Sequence, residues 1–161
     1  MDRQEQIENL LDHYEHPRHR HADAGADVVM PGGNPGCGDV ITVYLEVGED
    51  GTTVRDVSFE GEGCTISQAA ASILMEMVHD EGWTLDDIVE TDYTAMIDVL
   101  GREAVQMRPK CATLALGTLK AAVKKYRRDR MLEDAGLESV ERDNAALGIV
   151  TGEAARDDDE R

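Results

Sequence analysis

Three cysteines and one aspartate are the residues of this chain that are best suited to do chemistry. Cys37 and Asp39 lie two residues apart in the glycine-flanked stretch Asn34-Pro35-Gly36-Cys37-Gly38-Asp39. Cys64 follows Gly61-Glu62-Gly63, and Cys111 follows Arg108-Pro109-Lys110. Zinc and iron favour thiolate ligands, and a carboxylate can supply a fourth, harder ligand. The four side chains together predict a Cys₃Asp metal site.

The spacing of these residues also allows a simpler interpretation. The chain has no Cys-x-x-Cys pair, so the cysteines can be ordinary buried side chains and Asp39 a turn residue. Three cysteines cannot all pair within one chain, which argues against a secreted disulfide framework. Cys64 and Cys111 each fall at the start of a predicted helix, where the helix dipole favours thiolates. Arg108 and Lys110 add positive charge beside Cys111, which would also lower a thiol pKa. The residues alone leave both interpretations open.

The composition is that of one acidic globular domain. The chain has 161 residues, 41% of them hydrophobic and 4% aromatic. It contains no apolar run long enough to cross a membrane, and residues 1–5 lack an apolar signal-peptide core. We therefore expect a cytoplasmic protein without a membrane partner. A net charge of −18 makes nucleic acid a poor partner as well.

The acidity has two explanations. Acidic residues number 34 against 16 basic ones, of which only four are lysines. An acidic, lysine-poor surface is consistent with halophilic adaptation to a salty cytoplasm, because salt screens the repulsion between like charges. The alternative is an acidic C-terminal tail on an otherwise ordinary acidic protein.

The order of predicted elements gives an α+β fold, with a small antiparallel β-sheet of about three strands packed against several α-helices. The residues Ile41, Val43, Leu45 and Val47 alternate along the central strand, and a bulge is expected between Val54 and Val57. Pro31 to Gly36 form a cluster of helix and strand breakers, which predicts a loop. The predicted strands are residues 27–30, 40–47 and 53–60. The predicted helices are residues 4–15 and 66–78, one beginning at Thr84, and residues 92–100 and 109–132.

Two further patterns complete the prediction. The last helix carries an apolar face of Leu114, Leu119, Ala122, Val123 and Tyr126. Near the N-terminus, four histidines lie close together in sequence: His13, His16, His19 and His21. Such a tract can bind metal, but exposed polar histidines at a helix end explain it equally well.

The exact strings around the cysteines resemble those of the NifU/IscU/SufU family of iron–sulfur cluster assembly proteins. They are Asn34-Pro35-Gly36-Cys37-Gly38-Asp39, Gly61-Glu62-Gly63-Cys64-Thr65-Ile66-Ser67 and Lys110-Cys111-Ala112. The upstream stretch Asp12-His13-Tyr14-Glu15-His16-Pro17-Arg18 is similar too. The resemblance covers roughly residues 7–126. It implies a NifU N-terminal or IscU-like domain at residues 1–132, followed by a partly disordered acidic tail at residues 133–161.

The resemblance also implies a site and a partner. Cys37, Asp39, Cys64 and Cys111 would hold zinc or, alternatively, a transient iron–sulfur cluster. The expected partner is a pyridoxal-phosphate-dependent cysteine desulfurase of the SufS or IscS type, with apo-proteins or other assembly factors downstream. IscU-type members carry a histidine just before the third cysteine, where this chain has Lys110, and Arg108, Lys110 and Cys111 look more like the SufU subgroup. The short span between Cys64 and Cys111 is closer to the IscU type.

Two functional hypotheses follow from the resemblance. In the first, the protein is a zinc-dependent, sulfurtransferase-like acceptor, in which the Cys37 thiolate takes sulfur from a desulfurase persulfide and Arg108 stabilises the thiolate or the incoming sulfur. Cys111 is the second candidate acceptor. In the alternative, the protein is a non-enzymatic scaffold on which a cluster is built and then transferred. A purely structural zinc domain and a hydrolytic zinc enzyme are less consistent with the sequence, since no general-base residue accompanies the ligands.

Overall fold

The computed structural model describes residues 2–34 and 38–134, which form a three-stranded sheet and a set of helices. The strands are β1 (Val28–Asn34), β2 (Asp39–Val47) and β3 (Val54–Glu62). The helices are α1 (Arg3–Glu15), α2 (Thr65–Glu81), α3 (Leu85–Glu90), α4 (Tyr93–Leu100), α5 (Arg102–Val105) and α6 (Pro109–Asp134). None of the helices in these ranges is long and apolar enough to cross a membrane.

The sheet is antiparallel in the order β1-β2-β3, which confirms the predicted α+β class. α2 packs against β3 and against α1, so one face of the sheet is covered by helices. The register of β2 and β3 shifts between Glu46 and Val47, where Asp56 and then Val54 are the partners on β3. This irregularity is the bulge that the phase of Val54 and Val57 predicted.

The central strand β2 directs alternate side chains into the core. Ile41, Val43 and Leu45 are fully buried, as the sequence predicted. Val40, the second residue of the strand, is half exposed. Asp39 is the first residue of the same strand and has the same phase as Ile41, so its carboxylate also points inward and is 2% exposed. The alternation that builds the core therefore also buries a charged group.

The loop predicted at residues 31–36 is wrong for its first four residues, which belong to β1. β1 is an edge strand, and a proline such as Pro31 is tolerated on an edge because the missing N–H costs no central hydrogen bond. Gly32 is required by packing, since a Cβ at this position would lie 2.1 Å from Oγ1 of Thr118 on α6. A close approach of helix and strand explains a glycine that local sequence patterns assign to a loop.

Helices α1 and α2 are joined by a polar network from the Asp12–Arg18 stretch. His13 is 2% exposed, and its Nδ1 lies 2.7 Å from Oγ of Ser72 on α2. The Nε2 of His13 is 3.3 Å from Glu76, and the backbone N–H of Arg18 donates to the same Ser72 oxygen at 2.8 Å. The family-like motif thus serves to fasten α1 and the following segment to α2.

The last helix, α6, buries most of the predicted face and extends it toward the N-terminus of the helix. Leu119, Ala122 and Val123 are buried as expected, but Leu114 and Tyr126 are only half-buried. The other buried residues of the helix are Cys111, Ala112, Ala115, Leu116 and Thr118. Residues up to Lys124 form one compact unit, and α6 from Lys125 onward belongs to a second one. The predicted acidic tail lies, beyond Asp134, outside the described residues.

Candidate metal centre

Three of the four predicted ligands converge from three different elements. The ligand atoms of Asp39, Cys64 and Cys111 all lie within 4.8 Å of one another. Asp39 begins β2, Cys64 is the residue that caps the N-terminus of α2, and Cys111 is the third residue of α6. The fourth, Cys37, lies outside the described residues.

Asp39 stands at the centre of this group because both of its carboxylate oxygens accept a hydrogen bond. The backbone N–H of Cys64 donates to Oδ1 at 2.9 Å. The thiol of Cys111 donates to Oδ2, also at 2.9 Å. The carboxylate therefore ties the starts of two helices to the start of one strand, and the prediction that Asp39 is more than a turn residue is consistent with its burial.

The two thiols have opposite ionisation properties. Burial works against the Cys64 thiolate, but the Ser67 amide at the start of α2 and the Cys111 thiol lower the Cys64 pKa below its usual value. Burial raises the pKa of Cys111 to about 12, and the Asp39 carboxylate, which accepts its proton, adds to the effect. The expectation that the helix dipole favours a thiolate is therefore right for Cys64 and wrong for Cys111, where burial and a facing carboxylate outweigh the dipole.

Arg108 supplies the positive charge next to these thiols. It directly precedes α6, and its carbonyl accepts the backbone N–H groups of Cys111 and Ala112 at 3.1 and 3.3 Å. The Cys64 thiol, and then the Cys111 thiol, raise the pKa of the Arg108 guanidinium, so this side chain lies close to both thiols. Lys110 is exposed, and no imidazole belongs to the Asp39 group in the part of the chain that the structure describes.

The donor set fits zinc or iron. Two sulfur atoms and one carboxylate are the ligand types that both metals accept. The Cys111 proton lies between sulfur and carboxylate, the place where a cation would satisfy both groups at once. Despite burial, which raises its pKa, Asp39 keeps a pKa below the usual value because the Cys111 thiol and the Cys64 amide stabilise its charge. The carboxylate is therefore ionised and ready to bind a cation at neutral pH.

Sequence reasoning missed three residues that shape the site. A Cβ on Gly63 would lie 2.4 Å from Oδ1 of Asp39, at a φ of 157° that other residues rarely adopt. The Ser67 hydroxyl donates to the Cys64 carbonyl at 3.1 Å and lies 3.8 Å from its sulfur. Asn34 pairs with Asp39 across β1 and β2 and helps to lower the Asp39 pKa. The glycine directly before Cys64 was the one sequence feature that could have pointed to this close packing.

The histidine tract does not form a single metal-binding group. The His13 ring nitrogens contact Ser72 and Glu76, and the His16 ring lies 3.4 Å from the Asp12 carboxylate. His21 contacts the carbonyl of Ala22. Of the four histidines, His19 alone belongs to a group of metal-ligating side chains among the described residues, and its companions come from elsewhere in the chain.

The chain matches known proteins over most of its length. Residues 5–133 match the family model described as the NifU-like N-terminal domain. The chain is 38% identical to the iron–sulfur cluster assembly scaffold protein IscU of Thermotoga maritima, over 75% of this chain and 94% of that protein. It is 33% identical to the zinc-dependent sulfurtransferase SufU of Bacillus subtilis, over 72% of this chain and 87% of that protein.

Solved structures have the same fold. One is described as a putative iron–sulfur cluster assembly scaffold protein for the SUF system from Fervidobacterium islandicum. It has a TM-score of 0.58 and 28% identity, over 72% of this chain and 94% of that one. A NifU-like N-terminal protein from Brucella abortus superimposes with a TM-score of 0.63 at 19% identity, over 77% and 96% of the two chains, a likeness of fold.

Proposed function

Because the chain belongs to the family of NifU-like N-terminal domains of iron–sulfur cluster assembly, we propose that it accepts sulfur from a cysteine desulfurase and passes it to cluster assembly. The proposed donor is a pyridoxal-phosphate-dependent enzyme of the SufS or IscS type. The proposed acceptor is Cys37, in a zinc site completed by Asp39, Cys64 and Cys111.

The observation that carries this proposal is the charge arrangement around the thiols. Arg108 faces Cys64 and Cys111, while Lys110 occupies the position where IscU-type members have a histidine. A protonated lysine cannot ligate iron, but a guanidinium stabilises thiolates and persulfides electrostatically. This arrangement favours anionic sulfur chemistry over cluster ligation by an imidazole.

The residues of the chain have distinct roles in this proposal. A zinc ion held by Asp39, Cys64, Cys111 and Cys37 would keep the thiols deprotonated at neutral pH. In the metal-free protein, Asp39 holds the other two described ligands beside it by accepting hydrogen bonds from the Cys64 amide and the Cys111 thiol, and the second of these would be replaced by metal bonds. Two peptide units separate Cys37 from Asp39, so the covalent chain limits their Cα–Cα distance to about 7 Å.

The proposed transfer is a thiol–persulfide exchange. The Cys37 thiolate attacks the outer sulfur of the persulfide on the desulfurase cysteine, and a new S–S bond forms as the old one breaks. The desulfurase cysteine leaves as a thiolate, and Cys37 carries the outer sulfur as a persulfide. Arg108, whose guanidinium pKa is raised by the Cys64 and Cys111 thiols, is the residue that we propose to stabilise the negative charge before and after the exchange.

A scaffold role for the same site is the second candidate. The Thermotoga maritima relative is named a scaffold protein, and three thiols with one carboxylate can also ligate cluster iron. Because a carboxylate is a poorer ligand for cluster iron than a thiolate, Asp39 would keep such a cluster transferable. In this case the iron and sulfide are cargo.

Alanine production by the cognate cysteine desulfurase separates the two roles. We expect the zinc-loaded protein to accelerate turnover strongly, Cys37→Ser to abolish the acceleration, and Arg108→Ala to weaken it. Arg102→Ala is the matched control, because this arginine is exposed on α5 and pairs with Asp98. If the zinc-loaded protein leaves the rate unchanged, yet iron and cysteine build a cluster on the chain, sulfur acceptance is refuted in favour of the scaffold.

A further inference from the structure

We propose that His19, Asp56 and His79 form a second metal site, for a divalent first-row transition cation. The three residues come from three separate parts of the chain: the segment after α1, strand β3 and the last turn of α2. Their ligand atoms all lie within 4.8 Å of one another. Two imidazoles and one carboxylate are a frequent ligand set for zinc and ferrous iron.

The distances between the donor atoms suit a shared ion. Nε2 of His79 lies 3.3 Å from Oδ1 of Asp56. Two ligands of a tetrahedral ion with bonds of about 2.0 Å are separated by about 3.3 Å. Nε2 also lies 3.0 Å from the Val57 carbonyl, to which it donates in the metal-free protein. An ion would take the place of that proton, which moves to Nδ1 of the same ring.

The second imidazole is held in place beside the first. The rings of His19 and His79 stack with their centres 3.9 Å apart and their planes 14° from parallel. The backbone of His19 has a φ of 58°, a conformation that few residues other than glycine adopt. Its carbonyl accepts the Phe59 N–H at 3.0 Å, so the loop is fixed against the edge of β3. Because a ring nitrogen binds a cation in the plane of its ring, the two side chains must rotate out of the stack to share one ion, while the backbone at His19 can stay in place.

The surrounding charges favour a cation. Asp56 also belongs to a group with Asp23 and Glu46, in which all ligand atoms lie within 4.8 Å of one another. A hydrogen bond between Asp23 and Glu46 raises the Glu46 pKa, as expected where carboxylates are crowded together. Arg55 offsets part of this charge. A divalent ion bound to Asp56 would relieve the repulsion among these three carboxylates.

The site is partly open to solvent and distant from the cysteine centre. The side chains of His79 and Asp56 are 25% and 34% exposed, so water can fill the remaining coordination positions. Cys64 and His79 lie at opposite ends of α2, fifteen residues apart, which corresponds to about 22 Å along a helix. The proposal therefore stands independently of sulfur transfer and of the metal at the cysteines.

The test is a titration of the metal-free 161-residue chain with Co²⁺, using two separate readouts. Thiolate-to-cobalt charge-transfer absorption reports on the cysteine centre, while NMR of the imidazole nitrogens reports on His19 and His79. Calorimetry gives the total stoichiometry. We expect paramagnetic loss of the His19 and His79 signals with an equivalent of cobalt that produces no thiolate absorption.

Three variants remove one ligand each: His79→Gln, His19→Asn and Asp56→Asn. Glutamine can still donate to the Val57 carbonyl, asparagine tolerates the φ of residue 19, and Asp56→Asn removes charge from a crowded cluster, so we expect all three to fold. Each substitution should weaken at least tenfold the binding of the cobalt equivalent that produces no thiolate absorption, and should leave the thiolate absorption itself unchanged. His21→Asn, in the same tract but outside the group, should bind as the wild type does.

Three outcomes would overturn the proposal. The first is that the histidine signals do not respond to cobalt. The second is that the equivalent without thiolate absorption persists in all three ligand variants. The third is that His21→Asn weakens it as much as the ligand variants do, which would indicate diffuse binding by the histidine tract. Circular dichroism of each variant identifies any that is unfolded, and the other two still decide the question.

Discussion

The close packing of Gly63 against Asp39 gives the sharpest prediction for stability. In Gly63→Ala the new Cβ would lie 2.4 Å from Oδ1 of Asp39 and 2.7 Å from Oγ of Ser67. The backbone would also be held at a φ of 157°, which costs a residue other than glycine about 1–3 kcal/mol. The carboxylate must move, and the hydrogen bond that it accepts from the Cys64 amide is lost.

The magnitude follows from these two effects. A hydrogen bond to a charged group contributes about 1.5–3 kcal/mol. Together with the backbone strain, the free energy of unfolding should fall by about 2.5–6 kcal/mol. Gly51→Ala is the matched control, because Gly51 also has a positive φ, of 74°, but its Cβ would meet no described atom within 4 Å. We expect that control to lose about 1 kcal/mol, since only the backbone effect remains.

The assay is urea unfolding of both metal-free variants, followed by circular dichroism. With a slope of about 2 kcal/mol per molar urea, the two midpoints should differ by about 0.8–2.5 M. Metal binding provides a second readout, because a displaced Asp39 should weaken the cysteine centre in Gly63→Ala and not in Gly51→Ala. Equal midpoints for the two variants would refute the argument that Gly63 is needed to seat the carboxylate.

Three further predictions concern pH, the α1 motif and salt. Burial raises the pKa of the Cys111 thiol to about 12, so this thiol must lose its proton to bind metal. The zinc affinity measured with a competing chelator should therefore rise at least tenfold per pH unit between about pH 6 and 8. A pH-independent affinity would exclude Cys111 as a ligand. Burial lowers the His13 pKa below 6.5, so the unfolded chain binds more protons, and stability should fall as the pH drops below about 6.5. His13→Gln should reduce that pH dependence and cost about 1–3 kcal/mol in urea unfolding at pH 7, because Ser72 loses its buried imidazole partner and keeps only the Arg18 N–H. The exposed His16→Gln should leave the stability at pH 7 unchanged. Raising the salt concentration should raise the melting temperature if self-repulsion at a net charge of −18 limits stability, and an unchanged value in calorimetry would contradict the salt adaptation.

Patterns that repeat along the chain were sufficient to predict most of the fold. The alternation of Ile41, Val43 and Leu45 identified the central strand and its buried face. The helices α1, α2 and α6 begin and end within a few residues of their predicted bounds. Extending the same alternation by two residues toward the N-terminus, from Ile41 to Asp39, would have placed Asp39 on the buried face. The convergence of Asp39, Cys64 and Cys111 was predicted from the chemistry of the residue types and from the family resemblance.

Contacts between segments that are distant in the chain could not be predicted from the sequence. Strand β1 continues through Pro31 to Asn34 because it is an edge strand and because Gly32 packs against Thr118. Neither fact can be inferred from the residues of the strand itself. The high pKa of Cys111 depends on a carboxylate 72 residues away. The stack of His19 on His79 joins positions 60 residues apart without any shared periodicity.

The distribution of the cysteine centre over three elements has a consequence for folding. Asp39, Cys64 and Cys111 are brought together only when β2, α2 and α6 have docked, so the unfolded chain has no equivalent set of ligands. By mass action, a cation at 100 times its dissociation constant would add about 2.7 kcal/mol to the free energy of unfolding. That is a large share of the margin by which a domain of this size is stable. The amount of folded protein would then follow the supply of metal, and the cation would act as a cross-link that ligand exchange can open.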